Sequence, residues 1–258
     1  MNEKIGGFDI DANFISERTL ANLDATRRAY ETGRMLNGGG GLKSMPILDY
    51  DLLYPDLEAG GDIHMKFQHF SIRERLIKAN GHADNQVMWS GGLTFFELFT
   101  DSPRLPFILR EALAKIDHWL ANIESDKSDD PMVVKVLRGK PTDLVDGCWT
   151  KDDIPGFIPE PQFFGGVGTS VCNDMYPAFP FPRMVAGGPL ANDIVKCRLK
   201  EINYSDYEIE FTDDEKARLD SIFPAGVCDW SIPGVEQRNL IGTWLSFGPS
   251  PVNLYEVE

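Results

Sequence analysis

Residues 45–89 read MPILDYDLLYPDLEAGGDIHMKFQHFSIRERLIKANGHADNQVMW, and this stretch decides the fold. Met45 to Tyr54 is a short apolar run interrupted only by Asp49 and Asp51, which suits a strand buried in a parallel sheet. Pro55-Asp56 and Gly60-Gly61 punctuate the next loop. Phe70 to Ala79 is a compact helix that Asn80-Gly81 terminates. Asn85 to Trp89 is a second short strand. The next element is the longest helix, Leu105 to about Ser125. Ile108, Leu109, Ala112, Leu113, Ile116, Trp119, Leu120 and Ile123 recur at the helical period and are expected on one buried stripe. Strand, helix, strand, helix is a βαβα unit, so the fold class is α/β with a parallel sheet and flanking helices.

Upstream, the pattern is helical from Ser16 to about Met35, with Ser16 as N-cap, and Asn37 and Gly38 to Gly41 stop it. Downstream of Ser125 the texture changes. Asp126 to Asp130 is a charged break, and residues 131–195 are rich in proline and glycine with little periodicity. Thr212-Asp-Asp-Glu215 is a capping box opening a helix to about Ile222. The organisation expected is therefore a core at 1–125 and a loop-rich, cysteine-containing extension at 126–258.

Composition limits the function. The 258 residues carry 40 acidic and 25 basic side chains, a formal charge of −15. Such a surface repels phosphate backbones and anionic lipid, so nucleic acid and membrane partners are not expected. No run approaches 18 apolar residues, and the start of the chain has no basic segment followed by an apolar stretch.

Cys148, Cys172, Cys197 and Cys228 are widely spaced, and no histidine follows His118. That spacing argues against zinc and for two disulfides. Three pairings exist, and Cys148–Cys172 with Cys197–Cys228 is the one favoured. Disulfides imply an oxidising compartment, secreted or periplasmic, and so a true N-terminus that lies elsewhere. No metal and no cofactor is expected.

Four histidines bound the acid–base chemistry. His64 stands with Asp62 in a Gly-bounded loop after the first strand, and Asp56 shares that loop. α/β proteins place their sites at this end of a parallel strand, and a hydrolase needs a carboxylate to orient an imidazole base. The competing reading is an ordinary loop histidine with solvated aspartates. His69 reads as a cap or surface residue, His82 precedes the strand that a catalytic histidine usually follows, and His118 lies one residue off the apolar stripe of the long helix, half-exposed. No nucleophile elbow is complete: Gly168-Thr-Ser170-Val-Cys172 and Met88-Trp-Ser90-Gly-Gly92 each lack a flanking glycine. Trp149, Phe163 and Phe164, with Tyr176, Phe179 and Phe181, could wall a pocket for an apolar substrate, or form the core of a loop-rich cap.

Two long phrases carry a resemblance. They are GGFDID followed by AYETGRMLNGGGGLKS and the 45–89 stretch, and PRMVAGGPLANDIVKCRLKEINYSDYEIEFTDDEKARLDSIFPAGVCDWSIPGV at 182–235. Both are similar to a family of exported bacterial proteins of no assigned function, related to tannase and feruloyl-esterase-like α/β hydrolases. The resemblance implies a partial α/β-hydrolase-like sheet ending in a disulfide-bonded extension, and an ester substrate. It also implies a nucleophilic serine from a missing segment or a partner chain. Asp56 or Asp62 would then be the acid. The histidine should follow NQVMW, yet none lies between Ser90 and Asp117. His64 is therefore the expected base, from an unusual position; a non-catalytic binding or scaffold subunit is the alternative.

Overall fold

The computed structural model describes residues 21–53, 65–93, 100, 102–207 and 209–242, and its main chain alone at 52–53 and 92–93. The elements run α1 (Leu23–Glu31), β1 (Ile47–Leu53), α2 (Phe67–Asn80), β2 (Gln86–Leu93), α3 (Arg104–Ser125), α4 (Met132–Gly139) and β3 (Gly147–Trp149). There follow β4 (Phe157–Pro159), α5 (Val171–Met175), α6 (Pro182–Val185), β5 (Arg198–Lys200), α7 (Asp213–Ile222) and β6 (Val227–Asp229). Two compact units result, one of residues 36–186 and 190–192, the other of 1–35, 187–189 and 193–258.

The first of these units holds a mixed four-stranded sheet in the order β1-β2-β3-β4. β1, β2 and β3 are parallel, and β4 returns antiparallel to β3. Asp51 pairs with Ser90, and Ser90 with Cys148. The expected α/β order of strands and helices is thus present. The expected division at residue 125 does not coincide with the compact units, because β3 and β4 lie beyond it and complete the sheet. Each is three residues long, too short for its alternation to stand out in a proline-rich stretch.

Side chains alternate between the two faces of the sheet. One face is apolar. Val87, Trp89 and Trp149 lie buried there against Ile108, Ala112 and Trp119 of α3 and Val136 of α4, with Leu48 and Tyr50 at the margin. The Trp119 indole donates to the Val136 carbonyl at 2.8 Å, which ties α4 to α3. Leu109, Leu113 and Leu120 do not join this face; they are 39%, 65% and 45% exposed. Each sits one residue, about 100° of helix rotation, past a buried position. The single stripe expected from sequence is therefore a buried row beside an exposed row.

α2 stops where expected, at Gly81, whose φ of 83° a side chain would strain. Gly91 is constrained differently: a Cβ there would lie 2.7 Å from the Cβ of Trp149, so only glycine lets β2 and β3 approach. The Cys148–Cys172 disulfide (Cα–Cα 5.7 Å) fastens β3 to α5.

In the other unit α1 is shorter than expected and is capped by Asn22, which accepts from the Ala25 amide at 2.9 Å. Ser16 lies outside the described residues. Tyr30 anchors this helix, donating to the Asp193 carbonyl at 2.9 Å and accepting from the Val195 amide at 2.7 Å. β5 and β6 pair antiparallel and carry the Cys197–Cys228 disulfide. The capping box of Thr212 and Glu215 opens α7 as expected. No helix among the described residues is long and apolar enough to cross a membrane.

Candidate active site

The second face of the sheet, under α2, carries a row of polar side chains beside the apolar packing of Met88 and Cys148. Asp49 and Asp51 stand two apart on β1, Gln86 and Ser90 on β2, and α2 sets His69 and Arg73 one turn apart above them. The His69 Nδ1–H meets Asp49 Oδ1 at 2.6 Å, and because a carboxylate only accepts, the proton lies on Nδ1. Gln86 donates to the other Asp49 oxygen at 2.9 Å and accepts from Arg73 Nε at 3.1 Å. Arg73 grips Asp146 with both terminal nitrogens, at 2.6 and 3.0 Å. Asp146 also accepts from the amides of Met88 (2.9 Å) and Gln162 (3.2 Å). Ser90 donates to the Gln162 side chain at 3.2 Å. One connected network thus runs from His69 to Ser90.

His69 Nε2 faces Asp51 Oδ1 at 3.5 Å. Burial disfavours the charged imidazole, but the hydrogen bond to Asp49 and the charges of Asp49 and Asp51 outweigh it. Lys66, one turn earlier, opposes them without reversing the balance, and the ring holds its proton more tightly than an ordinary histidine. Lys66 is itself buried, donates to the Tyr176 carbonyl and lies over the rings of Phe70 and Tyr176. On the apolar side of β1, burial first and Asp51 second push the Tyr50 phenol well above its usual range. The geometry brings one histidine and two carboxylates to the middle of β1, where an imidazole can exchange a proton.

The residues singled out from sequence are distributed unevenly. Asp56, Asp62 and His64 lie outside the described residues. Trp149 is buried on the apolar face, 5.4 Å from Trp89 and 5.0 Å from Phe157 between ring centres, so it is core there and not a pocket wall. Phe164 packs on the opposite face against Phe70, Met88 and Ala178, whereas Phe163 is exposed. These three aromatics therefore do not share a wall. All four cysteines are paired as favoured. Ser90 lies inside β2 and is buried, not at a strand-to-helix turn. Ser170 caps α5 in extended backbone, φ −164°, and accepts from the Asn173 amide. Neither has the strained geometry of a nucleophile elbow.

His69 does not stand out in the sequence, because it precedes an apolar helix and resembles a cap. A pairing signal is nonetheless present: Asp-x-Asp in a strand puts two carboxylates on one face, and His-x-x-x-Arg in the next helix puts two partners on one side. A groove of about 730 Å³ reaches the middle of this network, bordered by Arg73, Gln86 and Asp146 with Val87, Leu144 and Pro161. Its lining includes none of Asp49, Asp51, His69 or Ser90.

Fold and site together define an α/β protein with a histidine–aspartate cluster on one face of a mixed sheet. The chain belongs to a tannase-like family of unknown function, whose match covers residues 1–239. No curated protein and no solved structure matches it.

Proposed function

We propose that the chain supplies the acid and histidine side of a carboxylic ester hydrolase of the α/β-hydrolase type, acting on a small-molecule ester. The observation that carries this reading is the histidine–aspartate cluster on a parallel strand in a member of a tannase-like family. From sequence, His64 is the candidate base, with Asp62 or Asp56 as orienting acid. Neither Ser90 nor Ser170 has elbow geometry, so the nucleophilic serine comes from another segment or a partner chain. Two disulfides support export to an extracellular or periplasmic space.

A fluorophosphonate probe and a 4-nitrophenyl ester, applied to the protein together with any co-purifying chain, test the proposal. Turnover, with labelling of a serine other than Ser90 or Ser170, is the expected result. Absence of both labelling and turnover sinks the reading. It would favour a non-catalytic binding or scaffold role, to which the lack of an elbow among the described residues also points.

A further inference from the structure

We infer that His69 is the general base of this site, with Asp49 as its positioning residue and Asp51 as the carboxylate that stabilises the imidazolium. The inference rests on the hydrolase reading and assigns its base from geometry, to His69 in place of the sequence candidate His64. A general base needs one ring nitrogen committed and the other available. Nδ1 is committed: it donates to Asp49 at 2.6 Å, and Gln86, held in turn by Arg73, keeps that carboxylate from rotating. Nε2 is available, since among the described residues it makes no hydrogen bond, Asp51 standing at ion-pair distance only.

Access fits as well. The His69 side chain keeps 23% of its surface exposed, against 6% for Asp51, so a reacting group can reach the ring while the supporting carboxylate stays shielded. A shielded carboxylate acts in a lower effective dielectric and stabilises the developing imidazolium more strongly than one in water.

The step balances without any redox partner. Nε2 takes the proton of a serine hydroxyl or a water as that oxygen bonds to the ester carbonyl carbon, and the carbonyl π pair moves to oxygen. When the tetrahedral adduct collapses, the bond to the leaving alkoxide breaks and Nε2 returns the proton to it. Among the described residues, the charged groups facing the ring throughout are Asp49 and Asp51 from β1 and Lys66 from α2.

The test measures the pH dependence of 4-nitrophenyl ester turnover on the whole protein with any co-purifying chain. His69→Ala is expected to lower kcat by about 10²- to 10⁴-fold, the usual contribution of a general base. Asp49→Asn removes the charge that favours the imidazolium, so the acidic limb of kcat/KM should move about one pH unit lower. A merely structural His69 would reduce the amount of folded protein and leave that limb in place. Wild-type turnover in His69→Ala, or an unmoved limb in Asp49→Asn, overturns the assignment. A wild-type protein that neither turns over ester nor takes the fluorophosphonate probe removes the hydrolase reading and this inference with it. A wild type that turns over while His69→Ala does too removes the inference alone.

Discussion

Replacing Asp146 by asparagine should destabilise the sheet-bearing unit more than any loss of an exposed ion pair. The Asp146 carboxylate accepts four hydrogen bonds, two from Arg73 and one each from the amides of Met88 and Gln162. Asparagine keeps one acceptor oxygen and turns an NH₂ group towards donors, so two of the four contacts become donor against donor. It also leaves the Arg73 guanidinium without its counter-charge. Breaking a fully buried pair costs about 3–5 kcal/mol, and single charge-assisted bonds about 1.5–3 kcal/mol. The two side chains here are 17% and 18% exposed, so water compensates part of the loss. About 2–4 kcal/mol is the expected cost. With a urea m-value of about 2 kcal/mol/M, the midpoint should fall by roughly 1–2 M. Tryptophan fluorescence reports the transition, because Trp89, Trp119 and Trp149 all lie buried in this unit. Asp143→Asn is the control: its partner is Lys115, it is 67% exposed, and its removal should cost at most about 0.5 kcal/mol. A midpoint for Asp146→Asn no lower than that of Asp143→Asn would refute the reasoning.

Three further expectations use the same urea assay or a mass spectrum. Because folding raises the affinity of His69 for its proton above the ordinary value of 6.5, its contribution is complete below that pH. It fades as pH rises through the folded value, so the wild type should lose stability from mildly acid to mildly alkaline pH. His69→Gln should remove that component, and an unchanged pH slope would contradict the clamp by Asp49 and Asp51. In the mass spectrum, alkylation without reduction should add nothing, and reduction should expose four thiols. Removing Cys148–Cys172 frees a loop of 24 residues and should lower stability by about 3 kcal/mol.

The sheet-bearing core is legible in the sequence wherever an element is long enough to show its period. β1, α2, β2 and α3 all fall within a few residues of the stretches that predict them, because apolar runs and helical spacing extend over whole elements there. β3 and β4 are not legible, since three residues cannot display an alternation. The excess of apolar residues on α3 suggests one wide stripe, yet Leu109, Leu113 and Leu120 face solvent. Composition says how much apolar surface exists, and packing alone decides how much of it is covered.

The histidine–aspartate cluster on β1 and α2 is legible in kind, but the sequence does not single out its residues. The sequence draws attention to β1 and to the loop after it, and favours the loop over the strand, because aspartates inside an apolar run look like interruptions and not like a face. The parallel strands of an α/β sheet are usually apolar on both sides. Here Asp49, Asp51, Gln86 and Ser90 put a polar row on one side, beside Met88 and Cys148, and stability alone is a poor explanation for that. Buried ionic groups often do no better than well-packed apolar residues of the same volume. What a connected polar layer supplies is orientation, because each partner fixes the next. Arg73 fixes Gln86, Gln86 fixes Asp49, and Asp49 fixes the tautomer and plane of His69. The layer is thus better understood as the support of one imidazole than as a contribution to stability. That is why Asp49→Asn, which keeps the shape and removes the charge, is the most informative single substitution in this protein.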